Sequence, residues 1–232
     1  MHSRLAFATF LALSVSALAE PAVVPAPELV NIKSVDPTIV VELRYATSRN
    51  VVGRPLYPPK MPALIRPSVA ERLRLAQAYL QPRGFRLKIW DAYRPKIAQD
   101  QLWQFLPDRN FVSNPADSTP LHTWGVAVDA TIVYANGHAV SMPTDFDEFT
   151  PAAMLRYTGS DPNVRQHLRL LQRAMAQAGF LGMRTEWWHF IAPDWRKYGP
   201  IEDPTVTGAQ PASSSRPPSA GSQGDHRSAS AR

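Results

Sequence analysis

The stretch HTWGVAVDATIVY, residues 122–134, decides how the chain is read. From Val126 onward it is rich in β-branched residues and runs toward Asn136-Gly137, a tight-turn signal, so a strand over 126–134 is expected. The same stretch carries His122 and Asp129. In a fully extended chain these would stand ~23 Å apart at about 3.3 Å per residue, far beyond a metal bond of ~2 Å. For both to serve one site the chain must fold back between them, and Gly125 is the residue placed to allow it. Taken alone, a solvated loop histidine and a turn aspartate are the commoner reading of such a pair.

Working outward, IRPSVAERLRLAQAYLQPRG (65–84) reads as a helix with Val69, Leu73, Ala76 and Leu80 on one face and Gly84 just beyond its end. FRLKIW (85–90) alternates Phe85, Leu87 and Ile89 against Arg86, Lys88 and Trp90, the pattern of a half-buried strand. YRPKIAQDQLWQFL (93–106) predicts a second helix begun at Pro95. DPNVRQHLRLLQRAMAQAGF (161–180) predicts a third, with Val164, Leu168, Leu171 and Met175 inward and Gly179 near its stop. WWHFI (187–191) closes as a strand. Helices and strands alternate without repeats, which implies one compact α+β domain over residues 31–204.

The ends read differently. Residues 1–19, MHSRLAFATFLALSVSALA, have a weakly basic start, a short apolar run and an A-L-A ending, the layout of a cleavable export signal. That run is too short to cross a bilayer comfortably, so no membrane span is expected after cleavage. The expected location is exported: periplasmic or extracellular. Residues 20–30 are a Pro-rich lead-in, and residues 205–232, rich in Ser, Pro, Gly and Ala, are expected to be a disordered tail.

The net charge of +6 is spread over these parts, and residues 20–204 carry 21 bases against 18 acids. That excess is too mild for a nucleic-acid partner, and no basic run supports one. With no cysteine in the chain, a bound metal must rest on His, Asp or Glu, and there are only six histidines to draw on.

TEWWHF, residues 185–190, adds the second half of a candidate site. Glu186 and His189 would face opposite sides of a regular strand, so a bulge or a twisted strand end is needed to bring them together. The bland reading is a Trp-rich strand with outward polar residues. The alternative is that Trp187 and Trp188 wall a pocket whose chemistry belongs to their polar flanks. Two histidines and one carboxylate, with a coordination position left open, form a hydrolytic zinc arrangement, and Glu186 would be a second, unligated carboxylate able to take a proton.

HTWGVAVD and EWWH, taken in order, resemble the H-x-x-G-x-A-x-D and E-x-W-H motifs of the zinc D-alanyl-D-alanine dipeptidases. Relatives of that family include D,D-carboxypeptidases, phage muralytic endopeptidases and the Hedgehog signalling domain. RYAT (44–47), WDAYRP (90–95) and the Phe146-Asp147 pair also match in family order, so the resemblance runs from about residue 28 to 200. It implies a Hedgehog/D,D-peptidase-like fold, an antiparallel sheet flanked by helices. It implies one Zn2+ held by His122, Asp129 and His189, and Glu186 as general base and acid. Arg94 would support the oxyanion and Asp147 would hold the free ammonium of a small dipeptide. Asp91 and Tyr45 sit at matching positions as groups that shape or support the pocket. The activity so implied is hydrolysis of D-Ala-D-Ala, serving D-alanine salvage or wall turnover. A D,D-carboxypeptidase or endopeptidase acting on wall stem peptides is the neighbouring alternative, and a non-catalytic zinc-site binding module is the alternative of another class. One departure stands out. The family usually has Ser two residues before the first metal histidine, often with another between, whereas this chain has Pro120 and Leu121. Ser118, Thr119 and Thr123 are the nearby hydroxyls that could replace them in holding the substrate carboxylate.

Overall fold

The computed structural model describes residues 28–201 except residue 117. The expected export signal, nearly all of the lead-in and the expected tail therefore lie outside the described residues. The strands are β1 (Val30–Asn31), β2 (Val40–Val41), β3 (Leu64–Ile65), β4 (Phe85–Asp91), β5 (Ala127–Tyr134), β6 (Leu181–Gly182) and β7 (His189–Ile191). The helices are α1 (Ile32–Val35), α2 (Pro67–Leu80), α3 (Lys96–Phe105) and α4 (Pro162–Gln177). No described helix is long and apolar enough to cross a membrane.

Five strands form one sheet in the order β2-β4-β5-β7-β6, and β1 pairs with β3 in a separate two-stranded ladder. The pairs β4–β5, β5–β7 and β6–β7 are antiparallel, as expected. The edge pair β2–β4 is parallel, so the sheet is mixed and departs from the all-antiparallel expectation at that edge. The chain between Val41 and Phe85 includes α2, long enough to carry it back for a same-direction pairing.

Local chemistry explains the elements. Pro67 opens α2, where its missing N–H costs nothing. The predicted face Val69, Leu73, Ala76 and Leu80 is buried. Gln77 is buried beside it and fastens the helix to the sheet: its Oε1 accepts from Leu87 N at 2.7 Å and its Nε2 donates to Thr38 Oγ1 at 3.0 Å. Asp161 caps α4 by accepting from Asn163 N (2.8 Å) and Val164 N (3.4 Å). The Asn136-Gly137 turn forms, with Gly137 at φ 87° and Gly137 N donating to Tyr134 O. α2 and α4 pack on each other and, through α2 on β4 and α4 on β5, against the sheet, and one apolar cluster fills the space between.

Trp90 was expected to face outward with Arg86 and Lys88, but it is buried. It packs against Phe146 and Trp187, and the Arg44 guanidinium lies 5.0 Å from its ring centre. Trp187 and Trp188 belong to the same aromatic cluster, both essentially inaccessible, and Trp187 Nε1 donates to Thr144 Oγ1 at 2.9 Å. They are core residues and not the expected pocket walls: neither lines the cleft described next.

Candidate active site

Sheet register builds the site. Asp129 of β5 stands directly opposite Asp91 of β4 and directly opposite His189 of β7, so the three residues occupy one rung across adjacent strands. Directly opposed residues of antiparallel strands share a face, with Cβ atoms about 4.5–5.5 Å apart. An irregularity between Ile89 and Asp91 resets the pairing and brings Asp91 onto this rung.

His122 reaches the rung from the turn before β5. Gly125 N donates to His122 O at 3.0 Å, and Val126 N to Leu121 O at 3.2 Å, folding the chain back as the sequence spacing required. Gly125 has φ 66°, a conformation that calls for glycine, and a Cβ there would lie 2.8 Å from Leu29 Cδ2 and push that side chain aside. Glu186 and His189 converge through a turn, not the bulge or twist expected: His189 N donates to Glu186 O at 3.3 Å, and His189 Nδ1 lies 3.9 Å from Glu186 Oε2.

The result is a buried cluster in which one donor atom each from His122, Asp129 and His189 lie within 4.8 Å of one another. His189 Nδ1 is 2.9 Å from Asp129 Oδ1, His122 Nε2 is 3.4 Å from Asp129 Oδ2, and the two ring nitrogens are 3.2 Å apart. His122 Nδ1 donates to Ala92 O at 2.8 Å, which fixes the tautomer with the Nε2 lone pair directed into the cluster. Two imidazoles and a carboxylate in this crowding fit a divalent metal ion, since lone pairs this close repel unless a cation or a proton sits between them. Burial favours the neutral form of Asp129, but the adjacent imidazoles outweigh it and hold its carboxyl well below the usual range. Burial lowers His189, whereas at His122 the nearby Asp129 carboxylate overcomes burial and raises it.

Around the cluster lies a cleft of about 440 Å³, its mouth included, lined in part by Tyr45, Arg94, Asp147 and Glu186. Glu186 is buried with Oε1 unpartnered. Burial, reinforced by the Asp129 and Asp147 charges, pushes its carboxyl well above the ordinary value. Arg94 is held from behind: Nε and Nη2 donate to Asp91 Oδ2 at 3.0 and 2.7 Å, and Nη1 donates to Gln99 Oε1 at 2.9 Å. Its guanidinium sits 4.8 Å from the Tyr45 ring centre, and Nη2 is 3.9 Å from Asp129 Oδ2. Asp147 accepts from Tyr45 Oη at 3.2 Å and from Val51 N at 3.1 Å, and burial raises its carboxyl to about 7. It is one of two described non-glycine residues with positive φ, a strained backbone of the kind that gathers at functional positions.

All eight residues singled out in the sequence thus meet in one place. Seven line the cleft, and Asp91 lies behind it. Sequence reasoning missed Gln99, which reads as a surface position on an amphipathic helix yet is buried against Arg94. It also missed Tyr57, whose hydroxyl donates to Asp91 from a Pro-rich loop with no periodic signal. The proposed replacement hydroxyls do not face the cleft. Thr123 Oγ1 donates to Pro120 O and Ser118 Oγ to Asn114 O, whereas Pro120, Leu121 and Ser113 do line it.

Comparisons with known proteins show what the chain is similar to. The peptidase M15 family model, described as D-ala-D-ala dipeptidase, matches residues 26–206. A D-alanyl-D-alanine dipeptidase of Escherichia coli (strain K12) is 31% identical over 176 residues, 76% of this chain and 90% of the relative. One from Enterococcus faecalis (strain ATCC 700802 / V583) is 29% identical over 168 residues, 64% of this chain and 83% of the relative. Among solved structures, the LdcB LD-carboxypeptidase matches with a TM-score of 0.41 and 16% identity, over 76% of this chain and 74% of that one. With its motifs gathered at one buried cluster and its sequence matched across all the described residues, the chain belongs to the M15 peptidase family of D-Ala-D-Ala dipeptidases.

Proposed function

We propose that this protein hydrolyses D-alanyl-D-alanine to two molecules of D-alanine, using one zinc ion held by His122, Asp129 and His189. The observation that carries the reading is the juxtaposition of that three-donor cluster with the buried carboxylate of Glu186, whose Oε1 has no hydrogen-bond partner. A donor set of two imidazoles and a carboxylate without thiolates suits zinc, which when bound supplies a Lewis acid and an acidified water. Glu186, buried beside the cluster, accepts the proton of the attacking water and hands it to the leaving amine. Arg94, pinned by Asp91 and Gln99, keeps its positive charge where negative charge develops on the carbonyl oxygen. Asp147 pairs with the substrate ammonium, so an acylated amine would leave a buried carboxylate unpaired and bind poorly.

Export to the periplasm or beyond, expected from residues 1–19, would place the enzyme among released wall fragments, which favours D-alanine salvage or wall turnover. The test is hydrolysis of D-Ala-D-Ala and of a stem pentapeptide by the purified protein, with and without a chelator. Chelator-sensitive cleavage of the dipeptide is the expected result. Trimming of the pentapeptide alone would make the protein a carboxypeptidase, and inactivity toward both would leave a binding module.

A further inference from the structure

The charges lining the cleft are unequally matched to the two ends of a dipeptide. Asp147 stands ready for an ammonium, but among the described residues no lysine lines the cleft and Arg94 is the one arginine that does. All three nitrogens of that guanidinium already bond to Asp91 or Gln99, leaving one N–H on each Nη, and Gln99 gives one of its two amide N–H groups to Ser113 O at 2.8 Å. Beyond the ionisable set and the polar Gln99 and Ser113 the lining is apolar, with Leu102, Phe111, Val112, Leu121 and Phe149, and Phe111 and Phe149 stacked at 4.4 Å. Asp129, Asp147 and Glu186 already crowd the cleft with three carboxyl groups. A substrate carboxylate would enter with no side-chain cation reserved for it among the described lining residues, and a charge taken out of water without a partner is penalised.

We infer that this cleft selects a free amine but not a free carboxylate, so that it also cleaves D-alanyl-D-alanyl compounds whose C-terminus is a neutral amide. The inference rests on the dipeptidase reading and narrows its substrate class. In the added reaction water gives its hydroxyl to the first carbonyl carbon and a proton to the scissile nitrogen, releasing D-alanine and D-alaninamide. Leu121, at a position beside His122 where a hydroxyl would favour a carboxylate, is the specificity-determining residue.

The experiment compares kcat/KM of the zinc-loaded protein for D-Ala-D-Ala, its C-terminal amide and its N-acetyl derivative. A site with a cation reserved for the carboxylate would lose about a hundredfold on the amide, because that cation would be left unpaired. Here the amide is expected within about tenfold of the dipeptide and the N-acetyl compound at least about a hundredfold below it. Cleavage of the dipeptide with an amide deficit above about tenfold overturns this inference and leaves the dipeptidase reading intact. Failure to cleave the free dipeptide overturns both. Leu121→Ser should raise the dipeptide-to-amide ratio about threefold or more, mainly through KM, the scale of one neutral hydrogen bond. An unchanged ratio in a folded variant overturns the assignment to Leu121.

Discussion

Replacing Asp147 by Asn should stabilise the metal-free protein at alkaline pH while removing its grip on substrate. The Asp147 carboxyl is raised from an ordinary 3.8 to about 7, chiefly because it is buried. Its folded-state value lies above its unfolded value, so between these pH values the folded protein binds more protons, and stability falls as pH rises through the window. A rise of about 3 units at 1.36 kcal/mol each is worth about 4 kcal/mol in full, more than half of it between pH 5 and 8.5. Water at the cleft mouth screens part of this, which leaves about 1–3 kcal/mol. Asparagine mimics the protonated acid: its oxygen can accept from Val51 N and its amide can face Tyr45 Oη. It also tolerates the left-handed backbone at φ 60°. The assay is urea unfolding of wild type and Asp147→Asn in chelator at pH 5 and 8.5. With a slope of about 2 kcal/mol per molar urea, the variant's midpoint advantage should grow by roughly 0.5–1.5 M between the two pH values. A pH-independent difference would refute the argument. In the zinc-loaded enzyme the same change should cut kcat/KM for D-Ala-D-Ala by about a hundredfold, as loss of a buried ion-pair partner does.

Glu186→Ala should keep metal content near that of wild type, since Glu186 is no donor of the cluster, while turnover drops by about 10²–10⁴; unchanged turnover removes it from the mechanism. Gly125→Ala combines a strained φ with a 2.8 Å clash on Leu29, and should cost about 2–4 kcal/mol and weaken metal binding by displacing His122. Thermal unfolding and a metal titration read both effects, and wild-type values for each would be the contrary result. Asp91→Ala strips the buried Arg94 of two hydrogen bonds and should destabilise by about 3–5 kcal/mol in urea, with a loss under 1 kcal/mol counting against the pair.

Much of this was legible in the residues. The helices α2 and α4 and the strand β4 announce themselves by periodicity, α3 by the proline that opens it, and β5 by a β-branched run that is buried along nearly its whole length. The turn at Gly125 followed from reach alone: His122 and Asp129 cannot share a site on straight chain. The misses have physical causes. Trp90 keeps the side of Lys88, with which it lines one groove, but Phe146 and Trp187 cover it, a packing that no local alternation announces. Gln77 and Gln99 look solvent-directed on helical wheels, yet each is buried by a partner far from any local pattern, the Leu87 amide and the Arg94 guanidinium. The parallel edge of β2 depends on two residues only, too few to carry a signal. Which way Trp187 and Trp188 face was undetermined by sequence, because indoles suit a core and a pocket wall equally well.

The shared rung of Asp91, Asp129 and His189 ties chemistry to assembly. Asp129 and His189 come together only when strands sixty positions distant have zipped in the native alignment, and a slip by one residue would throw one of them to the far side of the sheet. A metal ion bound at this triad would therefore favour the correctly threaded form, since misaligned chains lack the three donors.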